Sequence, residues 1–325
     1  MTTSKTPRVS IGLPVFNGER YLVRAIDSIL GQDFRDLELI ISDNASTDRT
    51  PEICAAHARR DPRVRYHRNP RNLGAGPNYD RCFGLARGTY FKWAAHDDRL
   101  APDYLSRTVA ALDAAPEAVL CTTGVAEIGP GDEVRRVYRN VLPGIDSPSP
   151  ARRFAALIHT RHECEDFFGL FRRAALLGSS LHGTYSGSDR VLLAEMALRG
   201  RWTGVPEPLF LHREHEARYT RAVLLGDRSQ AALWLDTAVP AARASRMFHL
   251  VVYRHYLRVV RRNTRPGAAR AACYAELLRW WFTDGHLPDV LRDCVKGHPR
   301  LRRRLRAMKA ALLGAPAAPR SHEPG

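Results

Sequence analysis

The chain has 325 residues, 44% of them hydrophobic and 26% charged, with a net charge of +16 and a pI near 10.1. That is enough apolar material for a large core in one or two domains. No run approaches the roughly 18 apolar residues of a membrane span, and the short polar stretch Met1 to Pro7, with no apolar core, does not read as a secretory signal. Lysine occurs only at Lys5, Lys92, Lys296 and Lys309, so arginine supplies nearly all the positive charge. Such an excess suits an acidic partner: nucleic acid, a phosphorylated small molecule or an anionic membrane surface. It is equally the mark of an Arg- and Ala-rich genomic base composition. The six cysteines, Cys54, Cys82, Cys121, Cys164, Cys273 and Cys294, form no C-x-x-C pair, which reads as scattered reduced thiols in a cytoplasmic protein.

In chain order, strand and helix signals alternate, and this predicts a mostly parallel sheet flanked by helices. Val9 to Val15 reads as the first strand. Leu22, Ala25, Ile26 and Ile29 place a helical stripe within 19–30. Leu37 to Ser42 is a second strand. Ser46-Thr47-Asp48 followed by Pro51 predicts a helix start, running to about Arg60. Val64 to His67 is a third strand, 69–77 a Gly-bearing loop and 79–86 a helix. Tyr90 to Ala95 is a strand that ends in His96-Asp97-Asp98. A helix follows Pro102-Asp103, then a strand from Ala118 to Val125. The Gly- and Pro-rich stretch 129–150 reads as a mobile loop. Beyond it, 167–172 is extended, 173–181 and 189–199 are helical, and 209–213 is extended. From about Tyr219 the pattern is helical only. Residues 250–325 carry 16 Arg and Lys against 5 Asp and Glu, a net of +11. The organisation expected is a catalytic α/β domain over 1–218, with halves at about 8–127 and 150–218. A basic all-helical extension follows over 219–313, and then a disordered Ala/Pro-rich end over 314–325.

The most informative residues are Asp97 and Asp98. A strand that ends in two carboxylates delivers negative charge to the carboxyl edge of a sheet, where open α/β folds bind ligands. Adjacent carboxylates repel, so a Lys, an Arg or a divalent metal is expected to offset them. The alternative is a solvated turn.

Four strand ends carry motifs in order: Leu13-Pro14-Val15-Phe16-Asn17-Gly18-Glu19, Ile41-Ser42-Asp43-Asn44-Ala45-Ser46-Thr47-Asp48, Asn69-Pro70-Arg71-Asn72-Leu73-Gly74 and His96-Asp97-Asp98. This set resembles the family 2 glycosyltransferases of the GT-A fold, over roughly Arg8 to His215. Each motif alone is weak; the order makes the resemblance specific. It implies a GT-A (Rossmann-like) fold, an inverting transfer from a nucleotide-sugar, and a divalent metal, Mn²⁺ or Mg²⁺. It implies that Pro14, Phe16, Asn17 and Glu19 shape the nucleotide pocket, that Asp43 bonds the base, and that Asn72 and Gly74 form a donor loop. Asp97 and Asp98 would bind the metal, with Asp97 foremost. One departure stands out: the common D-x-D-D would begin at Ala95, so a carboxylate that often contacts the ribose is missing. His96 would bind ribose or simply pack.

The resemblance extends to the second half. Asp189, in Ser186-Gly187-Ser188-Asp189, matches the base at the start of a helix, with Ser188 in place of the usual Glu. The alternative is a helix cap. Glu165-Asp166 is the runner-up pair, with a role in acceptor binding. Leu211-His212-Arg213-Glu214-His215 resembles a closing R-x-H, which implies His215 as a metal ligand and Arg213 as a phosphate contact. Zinc is disfavoured because no H-E-x-x-H occurs.

The partners expected are a UDP-, dTDP- or GDP-linked sugar and a glycan, lipid-linked or small-molecule acceptor. The basic helices read as a packed face, a homodimer surface or a peripheral membrane contact. Two other functions compete: a catalytically impaired nucleotide-sugar-binding relative, and a nucleotidyltransferase, whose Gly-rich basic loop after the first strand is missing. A nucleic-acid binder would need basic residues interleaved with aromatics on a stacking surface, and the basic excess lies outside the motif-bearing domain.

Overall fold

In the computed structural model, which describes residues 6–216, 248–283 and 285–297, one nine-stranded sheet organises the chain. Its order is β3-β2-β1-β4-β8-β6-β9-β5, with β7 paired to β6 beside that path. The strands are β1 (Val9–Val15), β2 (Leu37–Asp43), β3 (Val64–Arg68), β4 (Tyr90–Trp93), β5 (Arg99–Leu100), β6 (Ala118–Ile128), β7 (Val134–Tyr138), β8 (Leu170–Arg172) and β9 (Arg201–Arg213). The first four are mutually parallel. β8 runs antiparallel to both β4 and β6, while β6 and β9 are parallel. The sheet is therefore mixed, and β8 joins its two halves.

β1 and β2 are buried along their whole length. Strands covered on both faces read as near-continuous apolar runs, and helices cover both faces here. Val9, Ile11, Leu13 and Val15 of β1 face one core with Leu22, Ala25, Ile26 and Ile29 of α1 (Leu22–Leu30). Burying a Leu or Ile side chain contributes about 1.5–3 kcal/mol each, so this stripe anchors α1 far more firmly than its propensity could. On β4 the faces part: Tyr90 joins that core, while Phe91 and Trp93 join the second. The second core is built by α3 (Ala75–Leu85), α5 (Pro150–His159) and α7 (Ser188–Arg199). α2 (Thr50–Arg60), α4 (Tyr104–Ala114) and the short α6 (Arg173–Leu176) complete this part.

Three helices follow: α8 (Phe248–Asn263), α9 (Ala268–Trp280) and α10 (His286–Gly297). Val252, Tyr256, Val259 and Val260 of α8 and Cys273, Leu277 and Trp280 of α9 share the second core with α5 and α7. The basic extension is thus packed into the α/β layer where it is described. Residues 219–247 and 298–325, including the expected disordered end, lie outside the described residues.

Several elements differ from the sequence reading. The stretch read as a mobile loop contains β7, and the chain then enters α5. Ser149 caps α5 by accepting the Arg152 amide, with Pro150 at the first position. That Ser-Pro start is a legible signal. α3 begins earlier than expected because Pro77 falls in its first turn, where a missing N–H is harmless. The helix expected to reach Leu181 stops at Leu176. β5 is two residues long and has no sequence signature of its own. Among the described residues, no helix is long and apolar enough to cross a membrane. Cys54, Cys82, Cys121, Cys164 and Cys273 are free thiols.

Candidate active site

Parallel pairing brings the ends of β1, β2 and β3 to one edge, with Val15 beside Asp43 and Asp43 beside Arg68. Pro14 is buried within β1 and Phe16 is half-buried just past its end. Asn17 turns the chain at φ 52°, a left-handed conformation that Asn tolerates better than most residues. Its amide donates to Ser46 Oγ at 2.9 Å and its side-chain oxygen accepts the Thr47 amide at 2.9 Å. Gly18 N–H donates to Thr50 Oγ1, and Glu19 accepts the Arg49 amide at 3.0 Å. The first turn is thus stapled to the second loop over some thirty residues of sequence.

Asp43 is fully buried. Its two oxygens accept the Ser46 amide at 2.9 Å and the Tyr66 hydroxyl at 2.8 Å, with Arg68 at 3.6 Å. Next to it, Asn44 donates to Asn72 Oδ1 at 2.7 Å and accepts from Asn69 and from the Leu73 amide. Asn72 Oδ1 also accepts the Gly74 amide at 2.8 Å. Gly74, at φ 82°, then opens α3. The amide network fixes the loop 69–74 against the end of β2. Asn44, Asn69 and Asn78 take part in it although the motif comparison gave them no role.

Asp97 and Asp98 follow β4 and diverge. Asp97 Oδ2 meets His215 Nε2 at 2.8 Å, 118 residues away in sequence. Burial pushes the Asp97 carboxyl up; His96, His215 and His212 outweigh it and hold the group well below the usual carboxylate range. Asp98 turns inward instead: its Oδ1 accepts the Arg213 amide at 2.8 Å and faces His212 Nδ1 at 3.3 Å. His96 packs over Gly18, where a Cβ would come within 2.7 Å of its ring. Arg213, expected to reach a phosphate, is fully buried. Its Nε donates to the Asp97 carbonyl and one terminal nitrogen to the Gly129 carbonyl, each at 2.7 Å. The other pairs with Asp132. The guanidinium also lies 4.6 Å over the Tyr21 ring. Arg213 therefore clamps the Asp97-Asp98 turn, a job with no signature in the sequence.

Asp97 and His215 form an oxygen and nitrogen pair of the kind that suits Mn²⁺ better than Mg²⁺. His215 Nδ1 is buried and has no hydrogen-bond partner among the described residues. Asp98 is turned away from this pair by Arg213. Among the described residues no three His, Cys, Asp or Glu groups gather to hold a metal by themselves. The two residues fit a cation that takes its remaining oxygens from a ligand.

From the second half comes Asp189, in the first turn of α7, after Gly187 at φ 82°. A carboxylate is favoured there by the helix dipole. The loop before it is docked on α3. The His182 amide donates to Asp80 Oδ1 at 2.8 Å, and the His182 ring stacks on Tyr79 at 4.8 Å. Ser188 Oγ lies 3.3 Å from His182 Nδ1. Gly76 permits this approach: a Cβ there would meet the carbonyl oxygens of Gly183 and His182 at 2.8 and 2.9 Å. Gly76→Ala is therefore expected to displace the loop, lowering stability by about 1–3 kcal/mol and slowing any reaction that uses Asp189. Thermal unfolding alongside a rate assay checks this; unchanged values in both would show the contact yields freely. Tyr79 marks where the halves meet. Its phenol is raised by burial first, and then by the charges of Asp97, Asp98 and Asp189 together.

The runner-up pair, Glu165-Asp166, lies in a 3-10 turn (Cys164–Phe168). Glu165 accepts the Tyr138 hydroxyl at 2.9 Å and Asp166 accepts Asn140 Nδ2 at 3.1 Å, so β7 and its flank close over the pair. Burial pushes Asp166 up to about 7. The folded state then holds a proton that the unfolded chain releases near pH 4, so this group's contribution to stability falls as pH rises from about 4 to 7. Asp166→Asn should gain stability relative to the parent at pH 8 compared with pH 5, by a few kcal/mol at most. Unfolding midpoints of both proteins at the two pH values test this; a gap independent of pH would contradict it.

On the other side of β4, Lys92 is fully buried. Its Nζ donates to the Phe168 carbonyl and lies 4.6 Å from the Tyr104 ring and 5.1 Å from the Phe210 ring. It ties the strand that leads to Asp97 to the turn that carries Asp166. Burial lowers its pKa to about 7, with Asp98 opposing.

Comparison with known proteins adds a family. Residues 10–177, just over half the chain, match the profile of the family described as glycosyl transferase family 2. That span ends before Asp189 and His215. The chain is 39% identical to the chondroitin synthase of Escherichia coli over 102 residues, 31% of this chain and 15% of that protein. It is 28% identical to the succinoglycan biosynthesis protein ExoO of Rhizobium meliloti over 242 residues, 72% of this chain and 68% of that one. It is 38% identical over 102 residues to the GalNAc(5)-diNAcBac-PP-undecaprenol beta-1,3-glucosyltransferase of Campylobacter jejuni, covering 31% and 33%. The match thus spans well under half of two of these three relatives. Among solved structures, residues 1–349 of S. aureus TarS in complex with UDP-GlcNAc superpose with a TM-score of 0.59 at 16% identity. That alignment covers 85% of this chain and 72% of TarS 1–349, and speaks for the GT-A fold alone.

Proposed function

The chain belongs to glycosyl transferase family 2, and on that footing we propose that it transfers a sugar from a nucleotide-diphosphate sugar to an acceptor hydroxyl, with inversion. The observation that carries the reading is the pairing of Asp97 with His215 just past the end of β4, with Asp189 entering α7 behind a loop whose His182 stacks on Tyr79. Carboxylates with different neighbours can take different roles in one site. Asp97 pairs with a histidine and is held ionised, as a group serving a cation would be. Asp189 stands at the start of a helix on the acceptor side, free of any ion pair among the described residues.

In this reading the turn at Phe16 and Asn17, the loop of Asn72 and Gly74, and Asp43 hold the nucleotide. Asp43 reaches the base through Tyr66, whose hydroxyl it already accepts. Asp97 and His215 hold a divalent metal, which supplies charge neutralisation for a diphosphate leaving group. Asp98, held by Arg213, fixes the turn. His96 and Gly18 set the width of the pocket where other members carry the carboxylate replaced here by Ala95.

Asp189 accepts the proton of the acceptor hydroxyl as its oxygen attacks the anomeric carbon. The new carbon–oxygen bond forms on the face opposite the diphosphate. The old bond breaks with its electron pair staying on the phosphate oxygen, so one displacement inverts the centre. The acceptor lies along the wall made by Glu165, Asp166, Tyr138 and Asn140. Relatives named for polysaccharide and lipid-linked glycan synthesis make a growing glycan the acceptor class to try first.

The test is nucleoside diphosphate release from UDP-, dTDP- and GDP-sugars, with and without glycan acceptors. Acceptor-dependent release from one donor supports the reading. Ala95 favours a second one, a relative that binds the donor without turning it over. Tight donor binding with no release by the wild-type protein would establish that alternative.

A further inference from the structure

We propose that α8 and the corner between α9 and α10 dock this protein on the surface of an anionic lipid bilayer. α8 holds no acidic residue in its sixteen positions. One side of it is buried through Val252, Tyr256, Val259 and Val260. The opposite side exposes Arg254, Arg258 and Arg261, at the i, i+4 and i+7 positions that share a helix face, with Leu257 between them. Among the described residues none of these three arginines has a carboxylate within ion-pair distance. A face of like charges with no counter-ion among the described residues is a poor way to stabilise a helix. It is a good way to meet a surface of phosphates.

Apolar side chains stand beside that face. Phe282, just past the end of α9, is 82% exposed, and Leu278 one turn before it is 64% exposed. Leu291 on α10 is 56% exposed. Trp281 packs on Tyr253 with ring centroids 4.9 Å apart, and Tyr253 is the neighbour of Arg254. The apolar corner therefore adjoins the start of the basic face. Arginines alone would suit nucleic acid as well. Protruding Phe and Leu side chains have no counterpart on a phosphate backbone, whereas a bilayer interface accepts apolar groups below its headgroups and cations among them. No helix among the described residues can cross the membrane, so the contact is peripheral.

The full-length protein is sedimented with vesicles of equal parts phosphatidylglycerol and phosphatidylcholine, and with vesicles of phosphatidylcholine alone. The expected result is pelleting with the first only, weakened by salt. Phe282→Ser combined with Leu278→Ser, and separately Arg254→Ser combined with Arg258→Ser and Arg261→Ser, should each lower the partition by about tenfold or more. All five positions are exposed, and unchanged unfolding midpoints confirm that the variants fold. Equal pelleting by variants and parent would overturn the proposal, as would equal binding to both vesicle types. So would the arginine variant losing duplex DNA binding while its vesicle binding stays intact. None of these outcomes depends on the enzymatic reading.

Discussion

Replacing Asp189 with Asn is expected to lower sugar transfer by about 10²–10⁴-fold while leaving nucleotide binding as it was. Asn keeps the size of the side chain and its place in the first turn of α7, so the helix has little reason to move. What it removes is the ability to take a proton. Asp189 follows a loop held by Asp80, His182 and Gly76, in the half proposed to take the acceptor. A pure helix-capping role would give a different result: a small stability change and nearly unchanged turnover. Measuring the donor dissociation constant beside the rate separates the two. Transfer that survives in Asp189→Asn would move the base elsewhere, and Asp166, raised to about 7 by burial, would be the next residue to change.

Asp97→Ala is expected to abolish the metal-dependent part of donor binding, and turnover with it. The carboxylate is held ionised by three histidines and paired directly with His215. Without it, the imidazole is left as the lone protein group facing a cation. The same change leaves a buried partner uncompensated, so stability falls too, by an amount on the order of 3–5 kcal/mol for a fully buried pair and less for this partly exposed one. Asp97→Asn is the better control, since it keeps a side-chain oxygen near His215 but removes the negative charge that a cation requires. Donor binding to Asp97→Asn that still responds fully to Mn²⁺ would place the cation elsewhere. Asp98→Asn should act differently. Asp98 accepts the Arg213 amide within the fold, and its loss reaches the site only through the position of the Asp97 turn.

The first half of the α/β domain, about 8–127, was legible in the sequence because its signals are local. Each strand there is a short apolar run buried on both sides, and each is followed at once by its own polar turn. Pro14, Asn17, Asp43, Asn72, Gly74 and Asp97 fall on strand ends that parallel pairing must bring to one edge. The rest depends on contacts far apart in sequence. Nothing near Arg213 announces that its guanidinium will be buried under Tyr21 and tied to Asp132, so a phosphate contact was the natural reading of an Arg at a site edge. Lys92 reads as one charge within a strand, but the fold closes Tyr104, Phe168 and Phe210 around it. β7 was hidden because its exposed Val134 and Val137, its two arginines and its tyrosine give no apolar alternation. His182, Tyr79 and Asp80 carry no motif at all; only the docking of one loop on α3 brings them together.

The most direct test is a thermal-shift comparison of the wild-type protein with UDP, dTDP and GDP, each with and without Mn²⁺. A nucleoside diphosphate site at the β1–β4 edge, shared with a cation on Asp97 and His215, predicts a rise in midpoint for one nucleotide that grows on adding Mn²⁺, the Mn²⁺-dependent growth disappearing in Asp97→Ala. No shift with any of the three, or an Mn²⁺-dependent growth of equal size in Asp97→Ala, would contradict it.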